Sequence, residues 1–166
     1  VDEFKNSIAN VTPELIKTLI AHKGPFIPVG TTALRALESL YWGGVWLIEN
    51  KTIEEDVLVI PKEFAYKTRS NRISNKEALE AVLKYIENSK VDYWVAETEL
   101  LIMPGYPLHF CDGIVTNFHQ PKSTLLVLIA ALIGDDWKMV YDSALSNEYR
   151  FLSYGDSSLL FKKKDI

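Results

Sequence analysis

The chain has 166 residues, 48% of them hydrophobic and 24% charged, which excludes a disordered tail, a collagen-like repeat and a disulfide-stapled mini-protein. Lys and Arg number 18 against 22 Asp and Glu, a net charge of −4, so any nucleic-acid role needs a local basic patch rather than a global field. Its single cysteine, Cys111, cannot form an internal disulfide and fits a reducing compartment.

No uninterrupted apolar run reaches the roughly 18 residues that cross a bilayer, so no membrane association is expected. The start, Val1-Asp2-Glu3-Phe4, lacks both Met and a signal-peptide pattern, and reads as the interior of a longer protein. Thr12-Pro13 opens a first helix, because Thr caps well and Pro suits the first helical position. Gly24-Pro25 stops it. Phe26–Val29 is a short apolar segment, expected as a buried strand, and Gly30-Thr31-Thr32 leads into a second helix carrying Leu34, Leu37, Leu40 and Tyr41. Gly43-Gly44 is expected to end that helix.

Val45–Ile48 and Val57–Ile60 read as strands separated by the acidic Glu54-Glu55-Asp56. Residues 62–76 are polar and basic, expected as loop or edge. Ser74-Asn75-Lys76-Glu77 has the spacing of a capping box and predicts a helix through Ile86. Val91–Val95 and Glu99–Met103 read as strands, Pro104-Gly105-Tyr106-Pro107 as a turn, and Phe110–Thr116 as a strand. Leu125–Ile133 is an apolar core helix closed by Gly134, and Asp135 or Asp136 caps another to about Glu148. Ser157–Phe161 is a last strand before a solvated Lys162-Lys163-Lys164 tail. With no repeat or long linker, one α/β unit over residues 1–166 is expected, with a mixed, largely parallel sheet flanked by helices.

Three segments have the residue types for chemistry. His119, Lys122, Ser123 and Thr124 crowd the start of helix 125–133, where free amides and a cation suit a phosphate or carboxylate. A capped core helix with a solvated lysine fits the same residues. Gly30-Thr31-Thr32 sits at a strand-to-helix turn with Arg35 and Glu38 one turn on. It matches neither the Walker A spacing nor GxGxxG, and ordinary capping also explains it. Tyr149-Arg150-Phe151-Leu152-Ser153-Tyr154-Gly155-Asp156 combines rings, a cation and a carboxylate, which suits either a stacked base or a helix end with rings in the core.

Lys62, Lys67, Arg69, Arg72 and Lys76 with Phe64 and Tyr66 form the one basic–aromatic patch, readable as an RNA contact or a solvated edge. His22 is read as structural and His109 as either structural or functional. No His, Cys, Asp or Glu spacing matches a metal site, and no GxSxG element suggests an acyl-enzyme.

Taken together, these segments resemble one family. Val29-Gly30-Thr31-Thr32-Ala33-Leu34-Arg35-Ala36-Leu37-Glu38-Ser39 is similar to an element of the S-adenosylmethionine:tRNA ribosyltransferase-isomerase family of queuosine biosynthesis. Pro104-Gly105-Tyr106 followed by Asp112-Gly113-Ile114-Val115-Thr116-Asn117-Phe118-His119-Gln120-Pro121-Lys122-Ser123-Thr124-Leu125-Leu126 resembles a second, and Tyr149 to Asp156 a third. The order also agrees, and the likeness spans about Val11 to Phe161. Asn50–Val95 is longer than in the common family form, and the family's preceding half, with its His-rich motif, has no counterpart here. The resemblance therefore implies the C-terminal part of a larger main domain, without the small β-rich inserted domain.

It further implies a cytoplasmic enzyme that consumes S-adenosylmethionine as a substrate. The ribosyl part moves onto 7-aminomethyl-7-deazaguanine at the wobble position of tRNAs with a GUN anticodon and is rearranged to give epoxyqueuosine. Adenine and methionine leave, and no metal takes part. That chemistry needs a base beside the sulfonium, stabilisation of the carbanion and an acid for adenine. On this resemblance His119 cycles protons, and Asp112 and Asp156 act as base or steady the sulfonium. Lys122, Ser123, Thr124, Thr31 and Thr32 hold a carboxylate or phosphate, while Tyr154 and Phe118 stack on a base. Gly30, Arg35, Glu38, Gly105, Tyr106, Thr116, Asn117, Arg150 and Gly155 complete the expected substrate contacts. Without the missing N-terminal half the chain is expected to be inactive. The competing readings are a non-catalytic nucleotide- or RNA-binding α/β module, and a structural subunit paired with a separately encoded N-terminal half.

Overall fold

A computed structural model describes residues 7–49, 58–67, 73–120 and 122–163. The expected acidic stretch at Glu54–Asp56, as well as Arg69, Arg72, Pro121 and Lys164, lies outside the described residues. In chain order the elements are β1 (Ser7–Val11), α1 (Pro13–Ala21), α2 (Thr31–Ile48), β2 (Leu58–Ile60), α3 (Phe64–Lys67), α4 (Asn75–Ser89), β3 (Trp94–Thr98), β4 (Gly113–Asn117), α5 (Thr124–Ile133), α6 (Asp136–Ser146) and β5 (Ser157–Phe161). Where the sequence suggests one unit, the chain divides into two compact ones. Val1–Gly24 with Arg35–Leu100 forms the first, and Pro25–Leu34 with Leu101–Ile166 the second.

In the first unit β3 is the central strand of a three-stranded sheet, antiparallel to β1 and parallel to β2. The largely parallel sheet expected from the sequence is not what forms. Parallel pairing is confined to β2 and β3, which the α3–α4 crossover joins, while β1, although also followed by a long helical stretch, enters antiparallel to β3. Local chemistry sets the helix starts. Thr12 accepts from the Leu15 amide at 3.3 Å with Pro13 behind it, and α4 opens on the expected capping box, with Ser74 Oγ accepting from the Glu77 amide at 3.2 Å and Glu77 Oε2 accepting from the Ser74 amide at 2.8 Å.

Helix α2 overturns two expectations. It runs straight through Gly43-Gly44 and absorbs the strand expected at Val45–Ile48. A Cβ on Gly43 would lie 2.3 Å from Trp94 Cζ2, and one on Gly44 would lie 2.1 Å from the Ala78 carbonyl oxygen. These glycines admit Trp94 and α4 against the helix and do not break it. Tyr41, Trp42 and Trp94 are fully buried in this unit, and each ring removes a large apolar area from water. Two further expectations shift: residues 62–76 contain α3, and the two strands expected in 91–103 become the single β3.

In the second unit β4 and β5 form an antiparallel pair, with Gly113 opposite Phe161 and Asn117 opposite Ser157. The strand expected at Phe26–Val29 is reduced to a parallel bridge between Val29 and Val115, because Pro25 and Pro28 carry no amide donor. Even so, the segment follows β4: the Val115 amide donates to the Pro28 carbonyl at 3.0 Å and the Gly30 amide to the Val115 carbonyl at 2.7 Å. Helix α5 packs on α6 and β5, and its Ile129 and Leu132 are buried, as are Ile114 of β4 and Phe118 just beyond it. The turn at Pro104–Pro107 forms as expected, closed by the Tyr106 amide on the Met103 carbonyl at 2.9 Å, with Gly105 at φ 93°. Asp135 occupies the cap position of α6 without making a side-chain cap. Nor is the lysine tail merely solvated: Lys162 Nζ donates to the Leu108 carbonyl at 3.0 Å, and Lys163 pairs with Asp136 at 3.0 Å.

Candidate functional site

The carboxyl end of β4 gathers most of the singled-out residues of the second unit. Val29 bridges Val115, so the Gly30-Thr31-Thr32 turn that starts α2 falls at the Thr116–Asn117 level of β4. Open α/β sheets bind ligands at such strand ends, where loops and helix starts converge. Gly30, at φ 90°, adopts a conformation that favours glycine, and this lets the chain turn directly from the bridge into the helix.

His119 lies just past the end of β4 and is only 8% exposed. Its Nε2 is 3.0 Å from Thr116 Oγ1, and its backbone amide donates to the Tyr141 hydroxyl at 3.1 Å. Burial lowers its pKa, so the ring is neutral at pH 7. Burial likewise raises the pKa of Tyr141, whose hydroxyl keeps its proton while its oxygen accepts from His119. The result is a neutral imidazole held by Thr116 at Nε2, on a residue whose backbone amide is fixed by Tyr141.

The 149–156 loop joins this end of β4 through two bonds. Asn117 Nδ2 donates to the Asp156 carbonyl at 3.0 Å, and the Leu152 amide donates to the Phe118 carbonyl at 2.8 Å. Within the loop the Arg150 guanidinium grips Asp156 at both carboxylate oxygens, Nε to Oδ2 at 3.0 Å and Nη2 to Oδ1 at 2.9 Å. These hydrogen bonds pull the Asp156 pKa down to about 2 and raise that of Arg150. Asp156 thus stays ionised at neutral pH and is committed to Arg150, which does not suit it to act as a base. Tyr154 and Gly155 sit at the exposed tip of the same loop.

Asp112 is placed elsewhere. It precedes β4 and is thus about 17 Å, the rise over five strand residues, from Asn117. Its Oδ2 accepts from the Phe26 amide at 2.8 Å, tying down the segment that ends in Gly30. Asp112 and Asp156, both expected from the resemblance to act as base or to steady the sulfonium, flank opposite ends of the β4–β5 pair. Phe118 also departs from expectation. Its ring is buried against Tyr141, Tyr149 and Phe151 at 5.5–5.9 Å, as part of the core instead of a face open for stacking.

Ser123 spends its hydroxyl on the Leu126 amide at 3.3 Å, the cap of α5, while Lys122 and Thr124 are exposed beside it. Lys122 has φ 64°, a left-handed conformation uncommon outside glycine and asparagine. Gly105 and Tyr106 border a separate cavity of about 350 Å³ with Pro107, Leu108, Ala131 and Lys162. Arg35 and Glu38 belong to the first unit's share of α2, where Glu38 is fully buried and burial lowers the Arg35 pKa. Among the described residues no group of three or more His, Cys, Asp or Glu could hold a metal ion, and no helix is long and apolar enough to cross a membrane.

Sequence reasoning missed Tyr141 and its neighbour Trp137. A signal was present: the two rings are four residues apart on α6 and so share one face. Nothing local says which loop that face meets.

The fold and this strand end define an α/β protein whose polar loops and helix starts gather beside a buried, neutral histidine. The chain belongs to the queuosine biosynthesis protein family, whose model matches residues 2–160. It is similar to the S-adenosylmethionine:tRNA ribosyltransferase-isomerase of Ruegeria pomeroyi, with 35% identity over 95% of this chain and 32% of that protein. Over a shorter stretch, 40% of this chain and 20% of the relative, it is 52% identical to the protein of the same name from Cereibacter sphaeroides. Among solved structures it resembles S-adenosylmethionine tRNA ribosyltransferase from Thermotoga maritima, with TM-score 0.56, 29% identity, and coverage of 92% of this chain and 39% of that one. The chain spans about a third or less of the length of these curated relatives.

Proposed function

We propose that this chain contributes to a tRNA-modifying enzyme that transfers and isomerises the ribosyl moiety of S-adenosylmethionine onto 7-aminomethyl-7-deazaguanine at the wobble position, giving epoxyqueuosine. Family membership supports the reading, as does the name shared by relatives matched over nearly the whole chain. The structural observation that carries it is the neutral His119 held by Thr116 and Tyr141 at the end of β4.

In this role Nε2–H of His119 donates to Thr116, leaving Nδ1 to take the proton from the carbon next to the sulfonium. The same ring, once protonated, returns a proton to departing adenine. Lys122 and the α5 amides face the methionine carboxylate or an RNA phosphate. Thr31, Thr32 and the Tyr154 loop border the sugar and the base. Asp156 holds Arg150 and shapes the loop, and Asp112 anchors the segment before Gly30. S-adenosylmethionine is consumed, tRNAs with a GUN anticodon are the acceptors, the cytoplasm is the compartment, and the remaining segments of a longer family protein complete the enclosure.

The test is adenine release from S-adenosylmethionine with a tRNA carrying the modified base, using this chain alone and supplemented with the remaining segments of a family protein. tRNA-dependent release in the supplemented reaction, lost in His119→Ala, is the expected result. Binding of S-adenosylmethionine without release in either reaction would instead favour a non-catalytic nucleotide-binding module.

A further inference from the structure

A cleft of about 620 Å³ opens in the second unit beside the start of α5, within the range of small-molecule sites. Its wall includes Trp137, Tyr141 and Phe151, and its lining also carries Gln120, Lys122 and Asp142. The three rings are steeply inclined in succession. Trp137 and Tyr141 stand 6.1 Å apart at 77°, and Tyr141 and Phe151 6.0 Å apart at 67°. Such angles are those of ordinary edge-to-face packing, and three rings lining one cleft are also the makings of a cage for a cation without a proton to donate, as with quaternary ammonium groups.

We propose that this cleft is an onium-cation site, with Trp137, Tyr141 and Phe151 as its cage and the Asp142 carboxylate as the counter-charge at its rim. That the cation is the sulfonium of S-adenosylmethionine rests on the function proposed above. The charges of the lining agree with that ligand: Asp142 complements the ammonium and Lys122 the carboxylate of its amino-acid tail. Tyr141 ties the cage to His119, since its ring forms the middle wall while its hydroxyl accepts from the His119 amide.

The experiment is calorimetric titration of the 166-residue chain with S-adenosylmethionine, with S-adenosylhomocysteine, which differs by a neutral sulfur, and with tetramethylammonium. The sulfonium compound should bind about tenfold more tightly than its neutral counterpart, and tetramethylammonium should compete with it. Trp137→Leu should abolish that preference, bringing the sulfonium compound's affinity down to that of its neutral counterpart. Trp137→Phe should retain most of it, and Asp142→Asn should reduce it about threefold. Asp142 is exposed, so the Asn variant keeps the test alive if the Leu variant fails to fold. Equal affinities for the charged and neutral compounds, or a preference untouched by Trp137→Leu in a folded chain, would overturn the cage. Tetramethylammonium bound in a Trp137-dependent way with neither nucleoside bound would uphold the cage and reject S-adenosylmethionine as its ligand. No binding of any of the three overturns the proposal.

Discussion

The Thr116 hydroxyl lies 3.0 Å from Nε2 of His119, and both side chains are buried at the carboxyl end of β4. A buried ring nitrogen deprived of that partner bears its full desolvation cost. Thr116→Val should therefore lower stability by about 1–3 kcal/mol, and Thr116→Ser should recover most of it. Urea denaturation of the three proteins measures this. Equal midpoints for the Val variant and the parent would mean that the bond contributes nothing.

Stability should fall on mild acidification. Burial, reinforced by the positive charge of Lys162, holds His109 down to about 4, and burial lowers His119 as well. Both groups bind protons more readily in the unfolded chain, so their contribution is present above pH 6.5 and is lost as pH falls from there toward 4. For His109 this amounts to about 3 kcal/mol. His109→Gln should flatten that part of the stability–pH curve, and Lys162→Met should move the His109 titration upward in an NMR experiment. A curve of unchanged slope in the Gln variant would contradict the assignment.

The Arg150–Asp156 pair should survive acid that disrupts ordinary carboxylates. Its folded pKa of about 2 lies below the usual value, so its stabilisation is present above pH 3.8 and disappears only as pH falls toward 2. Asp156→Asn should speed amide exchange across residues 149–156 while leaving the global unfolding midpoint nearly unchanged, because the pair is largely exposed. Unaltered exchange in that loop would show that other contacts hold it.

Gly44→Ala should destabilise the chain, opposite to the usual effect of this change inside a helix. Helix propensity alone favours Ala by about 1 kcal/mol. Here the added Cβ would sit 2.1 Å from the Ala78 carbonyl oxygen, a backbone atom that cannot swing aside. Separating α2 from α4 costs about 1–3 kcal/mol or more. Thermal unfolding decides the sign, and a raised midpoint would contradict the close approach.

What the sequence determined by itself is local. Thr12-Pro13, the Ser74–Glu77 box and the Gly105 turn were legible because each is satisfied by hydrogen bonds within four residues of chain. The three motif segments pointed to the family and to His119 for a similar reason, since they are contiguous runs. Tertiary structure decided the rest. Gly43-Gly44 carries the composition of a helix stop, but close packing of Trp94 and Ala78 against it outweighs the cost of glycine in a helix. Strand direction was likewise undetermined, because apolar runs do not specify their partners. Asp112 and Asp156 have the same side chain, yet one secures Phe26 and the other Arg150, as their placement at opposite ends of the β4–β5 pair dictates. Tyr141 meets His119 across 22 residues of sequence, a contact that exists only once α6 has packed on α5.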